Sequence, residues 1–319
     1  MKFQIILVIV SFTISVILAL GIIPMLRKKK MGQSERDDGP ESHLSKQGTP
    51  TMGGLIFIIC IIILSISTCI ITKKYNLLAL AFATIGFGCI GMFDDYKKLV
   101  KKDTKGLSPK GKMIGLLAIS ILYILYIMKI ANLGTNTYIP FFKTYINIPV
   151  YIYIPCAIFI ILGTTNAVNL TDGVDGLATT VSMIIITCIT GIAIVNNVVE
   201  VATFGSILIG MCLAFLIFNM HPAKVFMGDT GSLLLGGAIV TSALFLQMPL
   251  LLIIIALVPM CETLSVIIQV AYFRKTGNRI FKMAPIHHHF ELSGWSENKV
   301  VSVFSMITLI LCIIGMVAI

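Results

Sequence analysis

Residues 55–71 read LIFIICIIILSISTCII, a run with no charged residue and only Ser65, Ser67 and Thr68 as hydroxyl-bearing positions. A helix needs about 20 apolar residues to cross the hydrocarbon core of a bilayer, and this run nearly suffices alone. A strand of a membrane barrel would instead alternate over ~10 residues. Lipid gives backbone N–H and C=O groups no water to bond, so an uninterrupted run of this kind reads as a spanning helix. The rest of the chain agrees. Of its 319 residues, 57% are hydrophobic and 12% are charged, whereas soluble domains average about 45–50% and about 25%. Ten spans are expected, near 3–26, 51–72, 77–94, 112–131, 151–169, 176–195, 200–218, 231–247, 249–273 and 299–318. The predicted fold is therefore all-α: a polytopic integral membrane protein with about ten transmembrane helices, forming a single transmembrane domain over residues 1–319. The first run carries Lys2 but no small-residue cleavage site and reads as a retained helix. All eight cysteines lie in apolar runs without a CxxC pair, as small buried hydrophobes do.

An even number of spans puts both termini on one side. The loops near 27–50, 95–111, 170–175, 219–230 and 274–299 fall on the other. Counting Lys112 at a loop edge, they carry 19 Lys and Arg, against five (Lys2, Lys73, Lys74, Lys129 and Lys143) on the side of the termini. Basic loops stay in the cytoplasm, so both termini are expected outside. This assignment uses basic residues only, yet it also gathers all five histidines and twelve of the fourteen acids on the cytoplasmic face. The exceptions are Glu200, at an outer helix end, and Glu262, within the ninth span. A transporter would need acids along a path through the bilayer rather than at one face. No internal repeat supports one either. The outer segment 132–150 has turn residues around FFKTYI and is expected to form a small hairpin.

Four cytoplasmic clusters carry the chemistry. FDDYKK ends the third span with Asp94 and Asp95. Adjacent carboxylates at a helix C-terminus oppose the macrodipole and each other, which suits a shared cation or proton. NAVNLTDGVDG spaces Asn166, Asn169, Asp172 and Asp175 three apart. If helical, the first three share a face. Amide and carboxylate groups can read a base edge or hold ribose hydroxyls. Interhelical glue is the plainer alternative for any one of them. NMHPAKVFMGDTGS brings Asn219 and Lys224 near Asp229 in a glycine-rich turn suited to Mg²⁺ and phosphate. PIHHHFE offers His287, His288 and His289, too closely spaced to bind one metal together and lacking a nearby cysteine. The loop around Lys97–Lys112 holds more lysines than orientation requires, which favours an anionic substrate at this face. Lys46 and Thr51 lie in SKQGTPTMGG, which by itself reads as an ordinary loop.

Taken together, GTPTMGG, FDDYKK, NAVNLTDGVDG, VFMGDTGS and PIHHHFE resemble the motifs of the phospho-N-acetylmuramoyl-pentapeptide-transferase family, within the wider polyprenyl-phosphate N-acetylhexosamine-1-phosphate transferases. The resemblance runs in order along nearly the whole chain. The histidine run and GTPTMGG point to the muramoyl branch, away from a GlcNAc-1-phosphate transferase. It implies Mg²⁺-dependent transfer of phospho-MurNAc-pentapeptide from UDP-MurNAc-pentapeptide to undecaprenyl phosphate in the bacterial inner membrane. The products would be lipid I and UMP. Membrane lipid and a second copy of the chain are further implied partners; nucleic acid is not. It implies a catalytic set of Asp94, Asp95, Asp229 and His287. Asp229 would be the main Mg²⁺ ligand, with Asp94 and Asp95 beside it. Lys46, Lys98 and Lys112 would hold phosphates. Asn169, Asp172 and Asp175 would read uridine, with Asn166 and Asn219 nearby. Thr51 would be among the substrate-binding residues, and His288 would sit near the sugar or phosphate.

Overall fold

The computed structural model describes residues 1–29, 48–99 and 106–319. Its helices are α1 (Lys2–Lys28), α2 (Gly54–Thr72), α3 (Asn76–Leu99), α4 (Pro109–Lys129), α5 (Val150–Thr171), α6 (Leu177–Val195), α7 (Val199–Asn219), α8 (Gly228–Phe245), α9 (Leu252–Ile255), α10 (Leu257–Thr276), α11 (Ile286–Glu291) and α12 (Glu297–Val317). Ten of these are long and apolar enough to cross a membrane; the short α9 and α11 are not. The chain is a multi-pass membrane protein. The strands β1 (Asn136–Ile139) and β2 (Thr144–Asn147) form the expected hairpin, pairing antiparallel with Asn136 opposite Asn147.

The ninth span departs from the sequence reading. A single helix over 249–273 is expected, but the structure has a 3₁₀ turn at Pro249–Leu251, then α9, then a break at Ala256 before α10. Pro259 explains the break. It has no N–H to bond the Ile255 carbonyl, and its ring would collide with that carbonyl in a continuous helix. The cysteines are free, as expected. Cys156 and Cys261, however, are exposed on the protein's outer surface rather than buried.

α8 forms the core and is buried along nearly its whole length, whereas α1 and α10 are mostly exposed on the outside of the bundle. Its sequence, GDTGSLLLGGAIVTSALF, makes this possible because small residues let neighbouring backbones approach. A Cβ on Gly91 of α3 would lie 2.0 Å from the Asp229 carbonyl oxygen. One on Gly54 of α2 would lie 2.3 Å from the Gly231 nitrogen. On the far side, α1 lies against α7, where Ser11 Oγ donates to the Ile207 carbonyl at 2.6 Å.

The two ends of the bundle differ in chemistry. At one end the hairpin meets the C-terminus: Phe141 N–H donates to Ala318 O at 2.7 Å and Tyr138 N–H to Gln247 O at 2.8 Å. At the other end lie Asp94, Asp229 and the loops joining α5 to α6 and α7 to α8. The close α3–α8 contact predicts that Gly91→Val will lower the melting temperature in detergent by several degrees, overpacking costing about 1–3 kcal/mol. Gly163→Ala, with nothing within 4 Å of its Cβ, should melt as wild type. Equal melting of both variants would contradict the packing described.

Candidate active site

The site grows from the start of α8. Its first N–H groups are buried and have no partner within the helix. Asp95, on the last turn of α3, supplies one. Its Oδ1 accepts from Asp229 N–H at 3.2 Å, and its Oδ2 from Thr230 N–H at 2.9 Å and Thr230 Oγ1 at 2.6 Å. Asp95 is 5% exposed and both its oxygens are engaged, so it acts as an N-cap donated by a neighbouring helix. Thr51 lies at the same corner: a Cβ on Gly228 would sit 2.8 Å from its Oγ1. The segments containing them are tied together, with Phe226 N–H donating to Pro50 O and Gly53 N–H to Phe226 O, both at 2.8 Å.

With its N–H held, Asp229 turns its side chain toward two lysines. Its Oδ2 lies 3.0 Å from Lys98 Nζ and 3.0 Å from Lys112 Nζ. Asp94 shares the same pair, its Oδ2 lying 2.8 Å from Lys98 and 3.6 Å from Lys112. Asp94 Oδ1 accepts from Leu107 N–H at 2.6 Å. The chain can pass so close because position 106 is glycine at φ +62°; a Cβ there would lie 2.4 Å from Asp94 Oδ1. Asn169 Nδ2 completes the cluster, donating to Asp229 Oδ1 and to Ser232 Oγ, both at 2.8 Å. Two carboxylates and two ammonium groups from α3, α4 and α8 thus meet at one helix end. Lys98 is 40% exposed and Lys112 20%, so an incoming anion can reach both.

The asparagine–aspartate stripe does not stay on one face. Helix α5 ends at Thr171, with Asp172 as its C-cap, and Gly176 at φ +77° starts α6 in a new direction. Asn169 points at Asp229. Asn166 turns back, donating to Leu162 O at 2.7 Å. Asp175 faces another group: its Oδ2 accepts from Ala223 N–H at 3.0 Å and lies 3.1 Å from His221 Nδ1. His221 Nδ1 is also 3.6 Å from Glu297 Oε2, and the three ligand atoms lie within 4.8 Å of one another. This trio is a place where a cation could be held. Asn219 is buried, accepting from Thr179 Oγ1 at 2.8 Å and donating to Val225 O at 3.0 Å, so it shapes the loop leading to Asp229.

The histidine run is divided. His288 Nδ1 lies 2.7 Å from Glu291 Oε2 and its side chain is 12% exposed. His289 Nδ1 accepts from Lys282 N–H at 3.1 Å. His287 is fully buried, with Nδ1 3.0 Å from Glu262 Oε2. Lys46 lies outside the described residues. Sequence reasoning missed His221, Glu262 and Glu297. Glu262 gave a signal as the one acid deep in a span; His221 and Glu297 gave none beyond being polar at the same face.

A charged cluster at one end of a ten-span bundle defines a membrane protein that can handle anions at its surface. The comparisons narrow this class. A family model described as Glycosyl transferase family 4 matches residues 77–247, which is more than half the chain. Phospho-N-acetylmuramoyl-pentapeptide-transferase signature 1 matches residues 46–58. The phospho-N-acetylmuramoyl-pentapeptide-transferase of Clostridium botulinum (strain Eklund 17B / Type B) is 50% identical over 310 residues, covering 97% of this chain and 94% of the relative. The Clostridium perfringens (strain SM101 / Type A) protein of that name is 50% identical over 308 residues, with 97% and 94% coverage. That of Clostridium novyi (strain NT) is 46% identical over 319 residues, with 99% and 96% coverage. The chain belongs to glycosyl transferase family 4 and, more particularly, to the phospho-N-acetylmuramoyl-pentapeptide-transferase family.

The two neighbouring aspartates should behave differently. Asp95→Ala removes a buried cap and should cost about 2 kcal/mol of stability, read as a lowered melting temperature. Asp94→Asn keeps its shape and holds up no helix end, so it should melt close to wild type. The reverse order would overturn the division of labour between them.

Proposed function

We propose that the chain transfers phospho-MurNAc-pentapeptide from UDP-MurNAc-pentapeptide to undecaprenyl phosphate, releasing UMP, at the cytoplasmic face of the bacterial plasma membrane. The observation that carries this reading is the Asp94–Lys98–Lys112–Asp229 cluster at the ends of α3, α4 and α8. A soluble pyrophosphate and a lipid phosphate can meet there, one arriving from water and the other along the bilayer. The 19-to-5 basic asymmetry supports a cytoplasmic location for the cluster and external termini. A homodimer in the membrane is part of the same proposal.

In the proposed reaction an oxygen of the lipid phosphate attacks the sugar-bearing phosphorus of the nucleotide. A new P–O bond forms, the P–O bond to UMP breaks, and UMP leaves with that electron pair. Such transfers depend mainly on alignment and on stabilising charge. Lys98 and Lys112 would exchange carboxylate partners for phosphate oxygens, keeping charge-assisted hydrogen bonds. Asp94 would orient the lipid phosphate. Its oxygens are held by Leu107 N–H and Lys98, which supports a positioning role and favours direct attack by the lipid over a covalent aspartyl step. Asn169 would hold Asp229 in its rotamer, and Asp172 and Asp175 would flank the nucleotide from the α5–α6 turn.

The donor set fits Mg²⁺. Asp229 and Asp94 offer carboxylate oxygens, now engaged by Lys98 and Lys112, and Mg²⁺ is a hard ion that takes oxygen ligands and keeps several waters. The His221 trio includes an imidazole nitrogen, which suits softer ions better. Asp229, with Asp94 beside it, would therefore hold the Mg²⁺. When bound, the ion would neutralise charge developing on the pyrophosphate. Asp95 would support it through α8 rather than as a ligand.

The test is UMP release by purified protein in detergent with undecaprenyl phosphate and Mg²⁺, offering UDP-MurNAc-pentapeptide or UDP-GlcNAc, each with and without EDTA. Release from the muramoyl donor alone, abolished by EDTA, is expected. Asp229→Asn should reduce it at least about 100-fold in folded protein. Release from UDP-GlcNAc alone would assign the chain to the GlcNAc-1-phosphate reaction. Release from neither would refute transferase activity.

A further inference from the structure

The pair Glu262–His287 is unexplained by the reaction so far. Glu262 lies on α10, one turn into a membrane-spanning helix, and His287 lies on α11; both are 0% exposed. An acid fully buried in such a helix is costly unless partnered. Here Glu262 Oε2 lies 3.0 Å from His287 Nδ1, in an oblique approach, and also accepts the His287 backbone N–H at 3.4 Å. One carboxylate thus bonds the backbone and faces the ring of a single residue. The approach is too oblique for a hydrogen bond, and Nδ1 has no other partner among the described residues, but a lone pair on Nδ1 would face the carboxylate at close range, which favours the proton on Nδ1.

The other ring nitrogen then has a fixed direction. His287 Nε2 is aimed at Gly173, where a Cβ would lie 2.2 Å from it. Like Nδ1, it has no hydrogen-bond partner among the described residues. Gly173 follows Asp172, the cap of α5, in the turn that leads to Asp175. Buried polar groups without partners call for an explanation. Here the ring edge lies directly beneath the backbone of a turn that carries two candidate nucleotide-reading aspartates.

We propose that Glu262 is a positioning residue for the nucleotide sugar. It acts through His287, fixing the proton on Nδ1 so that Nε2 faces the Asp172–Gly173 turn and sets where that turn lies. The inference rests on the UDP-sugar reading given above. It differs from that reading in placing an intramembrane acid behind donor-substrate binding, with no contact to the reacting atoms. Carboxylates that orient a histidine from behind hold its tautomer in the same way at metal sites.

The test uses the full-length protein in detergent. Nitrogen NMR of protein labelled at histidine, with the His287 signal assigned by its loss in His287→Gln, reads which ring nitrogen carries the proton. Wild type should show Nδ1–H, and Glu262→Gln should lose that signature. In the UMP-release assay, Glu262→Gln should raise the KM for the nucleotide sugar roughly tenfold while leaving the KM for undecaprenyl phosphate near wild type. Glu262→Asp should recover part of the difference. Gly173→Ala, which pushes on Nε2 from the other side, should also raise the nucleotide-sugar KM. An unchanged His287 signature in Glu262→Gln would overturn the proposal. Equal rises in both KM values, as general loosening would give, would overturn it too. If wild-type protein released no UMP, the functional reading would fail, while the NMR comparison would still decide whether Glu262 fixes the ring.

Discussion

The arrangement depends on one requirement: α8 begins inside the protein, and its first N–H groups must bond to something other than water. Asp95 meets it from α3, with three hydrogen bonds to Asp229 and Thr230. That bond set fixes the register between the two helices, and the absence of a side chain on Gly91 lets them approach closely enough to form it. The residue whose N–H is held is the one whose side chain enters the lysine cluster. Backbone satisfaction and site geometry are therefore the same constraint, seen from either end of Asp229.

The cluster around Asp229 is balanced in charge, two carboxylates against two ammonium groups. Each lysine bridges both acids. An anion arriving at Lys98 and Lys112 would meet donors already gathered, with little ordering left to do. Further along the same face, the α5–α6 turn lies over His287 on one side and contacts His221 and Glu297 through Asp175 on the other. Asp175 is thereby tied both to α12 and to the α7–α8 loop.

Much of this was legible in the sequence. The spans follow from apolar runs, and the sidedness of the acids, histidines and lysines follows from counting. Asp94, Asp229, Lys98 and Lys112 were marked as site residues and do come together. Local spacing reached its limit in two places. The three-residue periodicity put Asn166, Asn169 and Asp172 on one face if helical, but α5 ends at Thr171, and Asp175 beyond it turns to His221 and the Ala223 N–H. The adjacency of Asp94 and Asp95 implied a shared task, but successive helical positions point about 100° apart, so one faces lysines and the other a helix end. What spacing cannot reveal is pairing across long separations. Asp95 and Asp229 are 134 residues apart, and Glu262 and His287 are 25. Pro259, visible in the sequence, breaks the ninth span only because the Ile255 carbonyl must be left without its usual donor.

In the proposed reaction the Asp229 cluster, and not the His221 trio, holds the divalent ion and the pyrophosphate. Electron paramagnetic resonance of Mn²⁺ added to the purified protein with UDP tests this without turnover. A bound ion displaced by Mg²⁺, lost in Asp229→Asn and retained in His221→Gln, is expected. Binding that survives Asp229→Asn but vanishes in His221→Gln would contradict it.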